Sequence, residues 1–382
     1  MDVLVVSWSF PPTEGPRAIK AEAIVAELLR LGHRVTLITR QGSGDLREDI
    51  SGQLHALILM PREEWPTLRF DLRKSEKEFS TSWLARNING MLYRFLCYPG
   101  IEAFFRTSRA MRAVRGQVFD LTISVDGPQP LHWAVAQARR KGVSELGAWI
   151  ADCGDPLLRK LEGNKPTAYF RFVENAFLRA ADVITVPVPQ GTEYFEPQFL
   201  PKIHTVPHSL QFPSKDTMKP VRLELSQPGR AKFAYAGNLS PYRKQLFDFC
   251  KVLSTEGEFQ FHIFGPNEIV VDALLKEFPN LRDKLIFHGV SNRHELLNLL
   301  RSFDFLVLFT YQSGFQVPFK IIDYSFASRP ILHFESTREG EQRLFEFLNG
   351  DYKSAFPAAD YEMYDSRNTV KQYLELAGRK VP

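Results

Sequence analysis

A chain of 382 residues, 44% of them hydrophobic, is long enough to bury two cores, which favours two domains of average size over one. Its formal net charge is only +4, and this small excess gives no support to a nucleic-acid-binding protein. The three cysteines, Cys97, Cys153 and Cys250, are widely spaced and form neither a CxxC metal motif nor a disulfide framework, as expected in a reducing cytosol.

The first residues predict a strand and not a targeting segment. Residues 1–7 lack the basic stretch of a signal peptide and are mostly apolar. No run of about 18 uncharged apolar residues occurs, so the sequence predicts no membrane-spanning helix. We therefore expect a cytoplasmic protein.

The first half of the chain alternates between strand and helix patterns. Residues 3–7 form a continuous apolar run, which is typical of a strand buried on both faces of a parallel sheet. A helix pattern follows, and Gly32 stands where a C-terminal cap would end it. The alternation predicts a doubly wound α/β domain over residues 1–207. Its further strands are predicted at residues 35–39, 54–60, 121–125, 148–151, 183–186 and 203–206.

Residues 208–229 interrupt this alternation with proline, serine and lysine, and predict an interdomain linker. A second α/β domain is predicted over residues 230–365, followed by a C-terminal helix in residues 366–382 that could pack on either domain. Two such domains would leave a cleft in which ligands meet the carboxyl ends of the strands. The second set of strands is predicted at residues 233–235, 259–264, 285–288, 305–308 and 331–333.

Lys320 and Asp323 suggest a nucleotide-sugar pocket in the second domain. They stand three residues apart at the predicted start of a helix, where free backbone N–H groups and a lysine suit a phosphate. The carboxylate of Asp323 could accept hydrogen bonds from sugar hydroxyls. The alternative is an ordinary amphipathic helix with an ion pair between these two side chains on its surface.

The loops after the neighbouring strands add candidates for the same pocket. Gly237 would let the backbone approach a diphosphate, and Arg243 or Lys244 would neutralise it, although a turn glycine with solvated cations explains the pattern as well. Neither a GxGxxG nor a GxxxxGK[ST] motif occurs after a strand, which disfavours dinucleotide enzymes and P-loop NTPases. The other candidates for contact with a donor are Asn238, Gly265, Gln312, Phe315 and Gln316.

In the first domain, Asp152 and Asp155 follow a strand and could bind acceptor hydroxyls or act as an acid/base pair. Aspartates before Gly and Pro are also common turn formers, and His132, a further catalytic candidate, could equally be a hydrogen-bonded helix residue. Gly15 and Arg17 belong to a loop that could contact the acceptor or the donor phosphate. No metal-ligand cluster appears at a convincing spacing.

Residues 83–117 differ in character from the rest of the domain. They contain six arginines and a single acid, Glu102, interleaved with aromatic and aliphatic residues. This composition at helical spacing is typical of a segment that settles on an anionic bilayer, although a helical hairpin with a solvated basic face is the alternative. The predicted membrane contacts are Arg94, Phe104, Phe105, Arg106 and Arg109.

Several motifs, taken in order, make the chain resemble the retaining glycosyltransferases of family 4, including members that act in bacterial surface-polysaccharide and lipopolysaccharide assembly. The resemblance extends over nearly the whole chain and implies the GT-B fold, with two facing Rossmann-like domains and a cleft between them. The motifs that carry it are Phe10-Pro11-Pro12…Gly15, Leu31-Gly32-His33, Tyr235-Ala236-Gly237-Asn238, Phe287-His288-Gly289-Val290 and Pro318…Lys320…Asp323-Tyr324…Arg329-Pro330.

The resemblance also implies roles for individual residues. Asp323 would bind the ribose hydroxyls of the donor, and Lys244, with Arg243, would hold its diphosphate. Asn238 stands where many members have arginine. The first acid of the family's usual motif falls here at Phe315, so that Gln312 or Gln316 would have to substitute for it.

The function implied is transfer of a sugar from a nucleotide-diphosphate donor to a glycan or polyprenyl-linked acceptor. The resemblance implies retention at the anomeric carbon without a metal or other cofactor. The basic and aromatic residues 83–117 predict association with the inner face of the cytoplasmic membrane. Two alternatives share the architecture: a nucleotide-sugar 2-epimerase, and a catalytically inactive homologue that serves as a scaffold.

Overall fold

Two parallel β-sheets, one in each half of the chain, organise the fold. The computed structural model describes residues 1–12, 15–40, 48–61, 101–125, 127, 129–154, 168–213, 230–309 and 319–378. Clustering of contacts divides the chain into a first unit, Met1–Gln211 with Tyr364–Pro382, and a second unit, Phe212–Met363. Residues 214–229 of the predicted linker lie outside the described residues.

Among the described residues, the sheet of the first unit has seven strands in the order β3-β2-β1-β4-β5-β6-β7. Alternate residues of β1 face two different cores, Leu4 and Val6 on one side and Val3 and Val5 on the other, which is why residues 3–6 are all apolar. The strands are β1 Asp2–Ser7, β2 Arg34–Arg40, β3 Ala56–Met60, β4 Leu121–Val125, β5 Ala148–Asp152, β6 Val183–Val186 and β7 Ile203–Thr205.

Helices cover both faces of this sheet. The first begins at Pro16 directly after Gly15, whose carbonyl accepts hydrogen bonds from the N–H groups of Ala18 and Ile19. The helices are α1 Pro16–Arg30, α2 Glu48–Ser51, α3 Ile101–Ala110, α4 Pro130–Arg140 and α5 Ala168–Ala180. In the described residues, no helix combines the length and apolar character that crossing a bilayer requires.

In the part of the second unit that the structure describes, the sheet has five strands in the order β10-β9-β8-β11-β12. Aromatic packing dominates one of its faces, where the ring of Phe233 stacks on Phe261 and Phe305 with centroids 5.0 and 4.6 Å away. The strands are β8 Ala231–Ala236, β9 Phe259–Phe264, β10 Leu285–Gly289, β11 Phe305–Leu308 and β12 Ile331–His333, and the helices are α6 Arg243–Leu253, α7 Glu268–Glu277, α8 Arg293–Leu300, α9 Phe319–Ala327 and α10 Arg338–Leu348.

The C-terminal helix, α11 Ser366–Gly378, belongs to the first unit. Val370 and Tyr373 are fully buried in the same core as β1 and α1. The hydroxyls of Thr369 and Ser209 are 2.7 Å apart, which ties the helix to the segment after β7. The last helix therefore completes the domain that the first strand begins.

Candidate functional site

Two glycine loops in the second unit are fastened together by one asparagine. Gly237 follows β8, and its N–H donates to the carbonyl of Phe264 over 2.9 Å. The buried side chain of Asn267 accepts from the N–H of Leu239 and donates to the carbonyl of Gly237, both over 2.8 Å. Sequence reasoning assigned no role to Asn267. Its position two residues after Gly265 is the signal that could have identified it.

Lys320, in the first turn of α9, reaches the same loop. Its Nζ donates to the hydroxyl of Tyr235 and lies 4.4 Å from the Tyr235 ring centroid and 4.8 Å from that of Tyr242. Among the described residues no carboxylate pairs with it. Burial lowers the pKa of Lys320 to about 8, because an ammonium group without water or a counter-ion is disfavoured.

The lysine side chain also explains the glycine beside it. Gly237 has φ +126, and a Cβ atom at this position would collide with Cε of Lys320. The structure thus brings together three predicted donor residues, Gly237, Gly265 and Lys320, at the carboxyl ends of β8 and β9. A cation held over the Gly237 loop, without a carboxylate partner among the described residues, is suited to a phosphate group.

The other predicted phosphate contacts stand apart from this lysine. Arg243 is exposed at the start of α6, where its guanidinium lies 5.4 Å from the ring centroid of Phe247, and Lys244 is exposed beside it. The side chain of Asn238 accepts from the N–H of Ser240 over 2.8 Å and closes a turn. Within the described residues, none of the three forms a hydrogen bond with Lys320. Gln312, Phe315 and Gln316 lie outside those residues.

Asp323 is paired with a residue that the sequence analysis did not consider. Its Oδ1 lies 2.5 Å from Nη2 of Arg293, at the start of α8, and the two side chains are 22% and 16% exposed. Burial raises the pKa of the Asp323 carboxyl, and Arg293 opposes this shift. The surface ion pair between Lys320 and Asp323, considered above as the alternative, does not form, because each side chain has a different partner.

In the first unit, Asp152 is fully buried at the end of β5. Its carboxylate contacts Nζ of Lys20, in α1, at 2.6 and 2.8 Å. It also accepts hydrogen bonds from the hydroxyls of Thr185 and Tyr373 over 2.9 and 3.1 Å. Burial alone would raise the pKa of Asp152, but Lys20 and the hydrogen bond from Thr185 lower it below its ordinary value. The predicted acid/base role is corrected to a structural one, because the charge is enclosed and paired. Asp155 lies outside the described residues.

His132 is also enclosed. Its Nδ1 lies 2.8 Å from the hydroxyl of Ser124, which in turn accepts from Nε1 of Trp149 over 2.8 Å. The side chain is fully buried, and burial lowers the pKa of His132 to about 4. A neutral imidazole shut away from solvent does not exchange protons with a substrate, so the catalytic prediction for His132 is replaced by a role in the core.

Gly15 and Arg17 lie at the start of α1. Gly15 has φ +124, a backbone conformation that residues other than glycine rarely adopt. The half-buried Arg17 extends over Gly127, in the loop after β4, where a Cβ atom would meet its guanidinium. The predicted loop thus places a cation at the carboxyl ends of β1 and β4.

Half of the predicted membrane contacts on α3 face the protein interior. Phe104 is buried and stacks on Trp133 with ring centroids 4.2 Å apart. Arg106 is buried between Glu102, at 2.7 Å, and the ring of Trp8, at 5.3 Å. Neither side chain reaches a bilayer, which corrects this part of the prediction. Phe105 and Arg109 are exposed, and Arg94 lies outside the described residues.

Comparison with known proteins gives the family. The model of the Glycosyl transferase 4-like domain family matches residues 18–209, half of the chain. A search of curated proteins finds no match. Among solved structures, Anabaena Alr3699/HepE in complex with UDP-glucose has 12% identity and a TM-score of 0.59, over 98% of this chain and 99% of that chain.

Two further structures are similar over 98% of this chain. The lipopolysaccharide outer core galactosyltransferase WaaB has 13% identity and a TM-score of 0.56, over 99% of its own chain. A putative UDP-N-acetylglucosamine 2-epimerase from Listeria monocytogenes has 12% identity and a TM-score of 0.54, over 94% of its chain. These likenesses confirm the predicted two-domain fold. The chain therefore belongs to the glycosyl transferase 4-like family and is a glycosyltransferase of the GT-B type.

Proposed function

We propose that this enzyme transfers a sugar from a nucleotide-diphosphate donor to a glycan or polyprenyl-linked acceptor, with retention at the anomeric carbon. The observation that carries the proposal is the ammonium group of Lys320, which has no carboxylate partner among the described residues and rests on the Gly237 loop. The UDP-glucose bound to Alr3699/HepE makes a uridine diphosphate sugar the first donor to test.

Lys320 would act on the leaving diphosphate. Breaking the bond between the anomeric carbon and the donor oxygen leaves added negative charge on the diphosphate, and a nearby cation stabilises that charge most where water is scarce. The pKa of Lys320 is about 8, so the group is still mostly protonated at pH 7. An anion bound beside it would raise this pKa and keep the charge in place.

The test is thermal stabilisation by UDP, GDP, CDP and dTDP. A nucleotide at about 100 times its dissociation constant should add roughly 2.7 kcal/mol to the unfolding free energy of the protein that binds it. We expect one of the four to stabilise the wild type and to lose most of this effect in Lys320→Met. Lys284→Met is the matched control, because Lys284 also lies on an aromatic ring of the second unit, 5.1 Å from Phe259, outside the candidate site.

No stabilisation by any of the four nucleotides would refute the donor site and favour a scaffold. If one binds, product analysis separates transfer from epimerisation. A transferase releases the nucleoside diphosphate when acceptor is added, whereas a 2-epimerase, the class of the Listeria structure, isomerises its substrate. We also expect sugar transfer to persist in EDTA. Loss of transfer in EDTA, with recovery when Mg²⁺ is added, would refute the prediction that no metal is required.

A basic surface formed by α3, α4 and α5 supports a membrane-bound acceptor. The rings of Phe104, Trp133 and Phe172 link the three helices. Their described residues contain two acids, of which Glu174 is buried and Glu102 pairs with Arg106. Phe105 and Phe172 are 44% and 62% exposed. The exposed cations in and beside these helices are Arg109, Arg112, Arg115, Arg140, Lys141, Arg171 and Arg179.

We propose that this surface holds the enzyme on the inner face of the cytoplasmic membrane. A cleft of about 470 Å³ between α3 and α4 is lined by Arg112, Arg115 and Lys141 without any acid, which suits anionic headgroups. Each basic residue near an anionic bilayer adds about 1 kcal/mol to binding, and exposed aromatic side chains add an apolar anchor.

Co-sedimentation with vesicles tests this part of the proposal. We expect binding to vesicles that contain phosphatidylglycerol, weaker binding at high salt, and little binding to pure phosphatidylcholine. Phe172→Ser should weaken binding, whereas Ile269→Ser, at a residue 83% exposed in the second unit, should not. Equal binding to both kinds of vesicle, or none to either, would refute the assignment of this surface.

A further inference from the structure

A capped helix start and two side-chain contacts hold Arg293 in place. It is the first residue of α8, and the side chain of the preceding Asn292 caps this helix by accepting from the N–H of His294 over 2.9 Å. Its guanidinium lies 5.2 Å from the ring centroid of Phe212, which itself stacks on Phe326. Its Nη2 is 2.5 Å from Oδ1 of Asp323. A guanidinium that is stacked, paired and anchored at a helix start has little freedom to rotate.

We propose that Arg293 is a positioning residue for the donor nucleoside, holding the Asp323 carboxylate ionised and turned so that its second oxygen accepts a hydrogen bond from a ribose hydroxyl. This inference rests on the proposed function and deepens it. The resemblance assigns the ribose to Asp323 but assigns nothing to Arg293.

The charge balance explains why Asp323 needs such a partner. An aspartate has a shorter reach than glutamate, and it emerges from a helix that is largely buried. In that environment the neutral acid is favoured, and a protonated oxygen is a hydrogen-bond donor and a much weaker acceptor than a carboxylate oxygen. The guanidinium opposes protonation through Oδ1 and leaves Oδ2 for a ligand. Both side chains retain some exposure, so a ligand can approach the pair without first breaking it.

Among the charged side chains around Asp323, Arg293 is the one that affects its ionisation. Among the described residues of α8, α9 and the segment at Phe212, no other charged side chain shifts this carboxyl. The neighbouring Tyr324 is a neutral phenol, because burial raises its pKa, and its oxygen accepts from the N–H of Ala236 over 2.9 Å. The protonation of Asp323 should therefore depend mainly on Arg293.

The experiment compares binding of UDP and of 2′,3′-dideoxyuridine 5′-diphosphate to the full-length protein by calorimetry. A hydrogen bond to a charged acceptor contributes enough that its loss weakens binding about tenfold to hundredfold. We expect this loss between the two ligands in the wild type, and a much smaller difference in Arg293→Met. Arg293→Lys keeps the charge without the planar fork and should fall between them.

The pH dependence separates positioning from a merely structural role. The affinity for UDP, corrected for ionisation of the phosphate, should fall as the pH is lowered and Asp323 takes up a proton. In Arg293→Met this fall should begin at a higher pH than in the wild type, because the guanidinium no longer opposes protonation of Asp323. Arg343→Met is the matched control, since Arg343 pairs with Glu335 at 2.8 Å elsewhere in the second unit, and it should bind UDP like the wild type.

Each outcome bears on one proposal. If the wild type binds no nucleoside diphosphate, the proposed function fails. If it binds UDP and the dideoxy analogue equally, Asp323 does not hold the ribose and the inference about Arg293 is overturned. The inference is also overturned, with the proposed function intact, if Arg293→Met and Arg293→Lys distinguish the two ligands as the wild type does at every pH.

Discussion

Replacing Lys20 by methionine should destabilise the first unit strongly, because it leaves the buried Asp152 carboxylate without its cation. The two side chains are 3% and 0% exposed, so water cannot replace the lost ammonium group. Removing one partner of a buried ion pair costs about 3–5 kcal/mol. Thr185 and Tyr373 still donate to the carboxylate, so we expect a value near the lower end of that range. The double variant Lys20→Met/Asp152→Asn removes the charge as well and should recover part of the loss.

Urea unfolding followed by tryptophan fluorescence is the assay. No tryptophan occurs in the sequence of the second unit, so the fluorescence signal does not report on the unfolding of that unit. The matched control is Arg34→Met, because Arg34 pairs with Asp2 at 3.1 Å with 61% and 39% exposure, and such pairs contribute about 0–1 kcal/mol. If Lys20→Met unfolds at the same urea concentration as Arg34→Met but abolishes sugar transfer, the structural interpretation of Asp152 is refuted.

Three further predictions concern single groups. Lowering the pH from 6.5 to 4 should destabilise the first unit by up to about 3 kcal/mol. Over this range His132 is protonated in the unfolded chain, whereas in the folded protein its pKa is about 4. In urea titrations, His132→Gln should reduce this pH dependence. Tyr373→Phe should cost about 1.5 kcal/mol in the same assay, through the lost 3.1 Å hydrogen bond to the Asp152 carboxylate, and an unchanged midpoint would contradict this. Gly237→Ala should weaken UDP binding by displacing Lys320. The control is Gly350→Ala, also at positive φ but in open space, which should leave the affinity unchanged. Equal dissociation constants for UDP in both variants, measured by calorimetry, would count against the site.

The inner strands could be predicted from the sequence because strands such as β1 and β4 are buried on both faces. A run such as residues 3–6 needs no long-range information to be recognised, since every side chain in it is apolar. The same alternation of strands and helices predicted glycine loops at the strand ends. In the structure, the side chain of Lys320 lies against Gly237 as expected.

Interactions between distant segments could not be predicted in this way. The partners of Asp152 come from α1, β6 and α11, and no local pattern links these elements. One signal was available: Lys20 is four residues before Ile24 on the buried stripe of α1, where a lysine requires a partner. The inward orientation of Arg106 and the pairing of Arg293 with Asp323 likewise depend on which helices become neighbours.

The position of α11 has a consequence for synthesis on the ribosome. The second unit, Phe212–Met363, is inserted into the first, so it is translated completely before the residues that finish its neighbour. Domains generally fold as units as they emerge. Until Tyr373 leaves the ribosome, the first unit lacks both a hydrogen-bond donor for Asp152 and part of its core. The first unit, although its synthesis starts before that of the second unit, should therefore be the last to reach its native state.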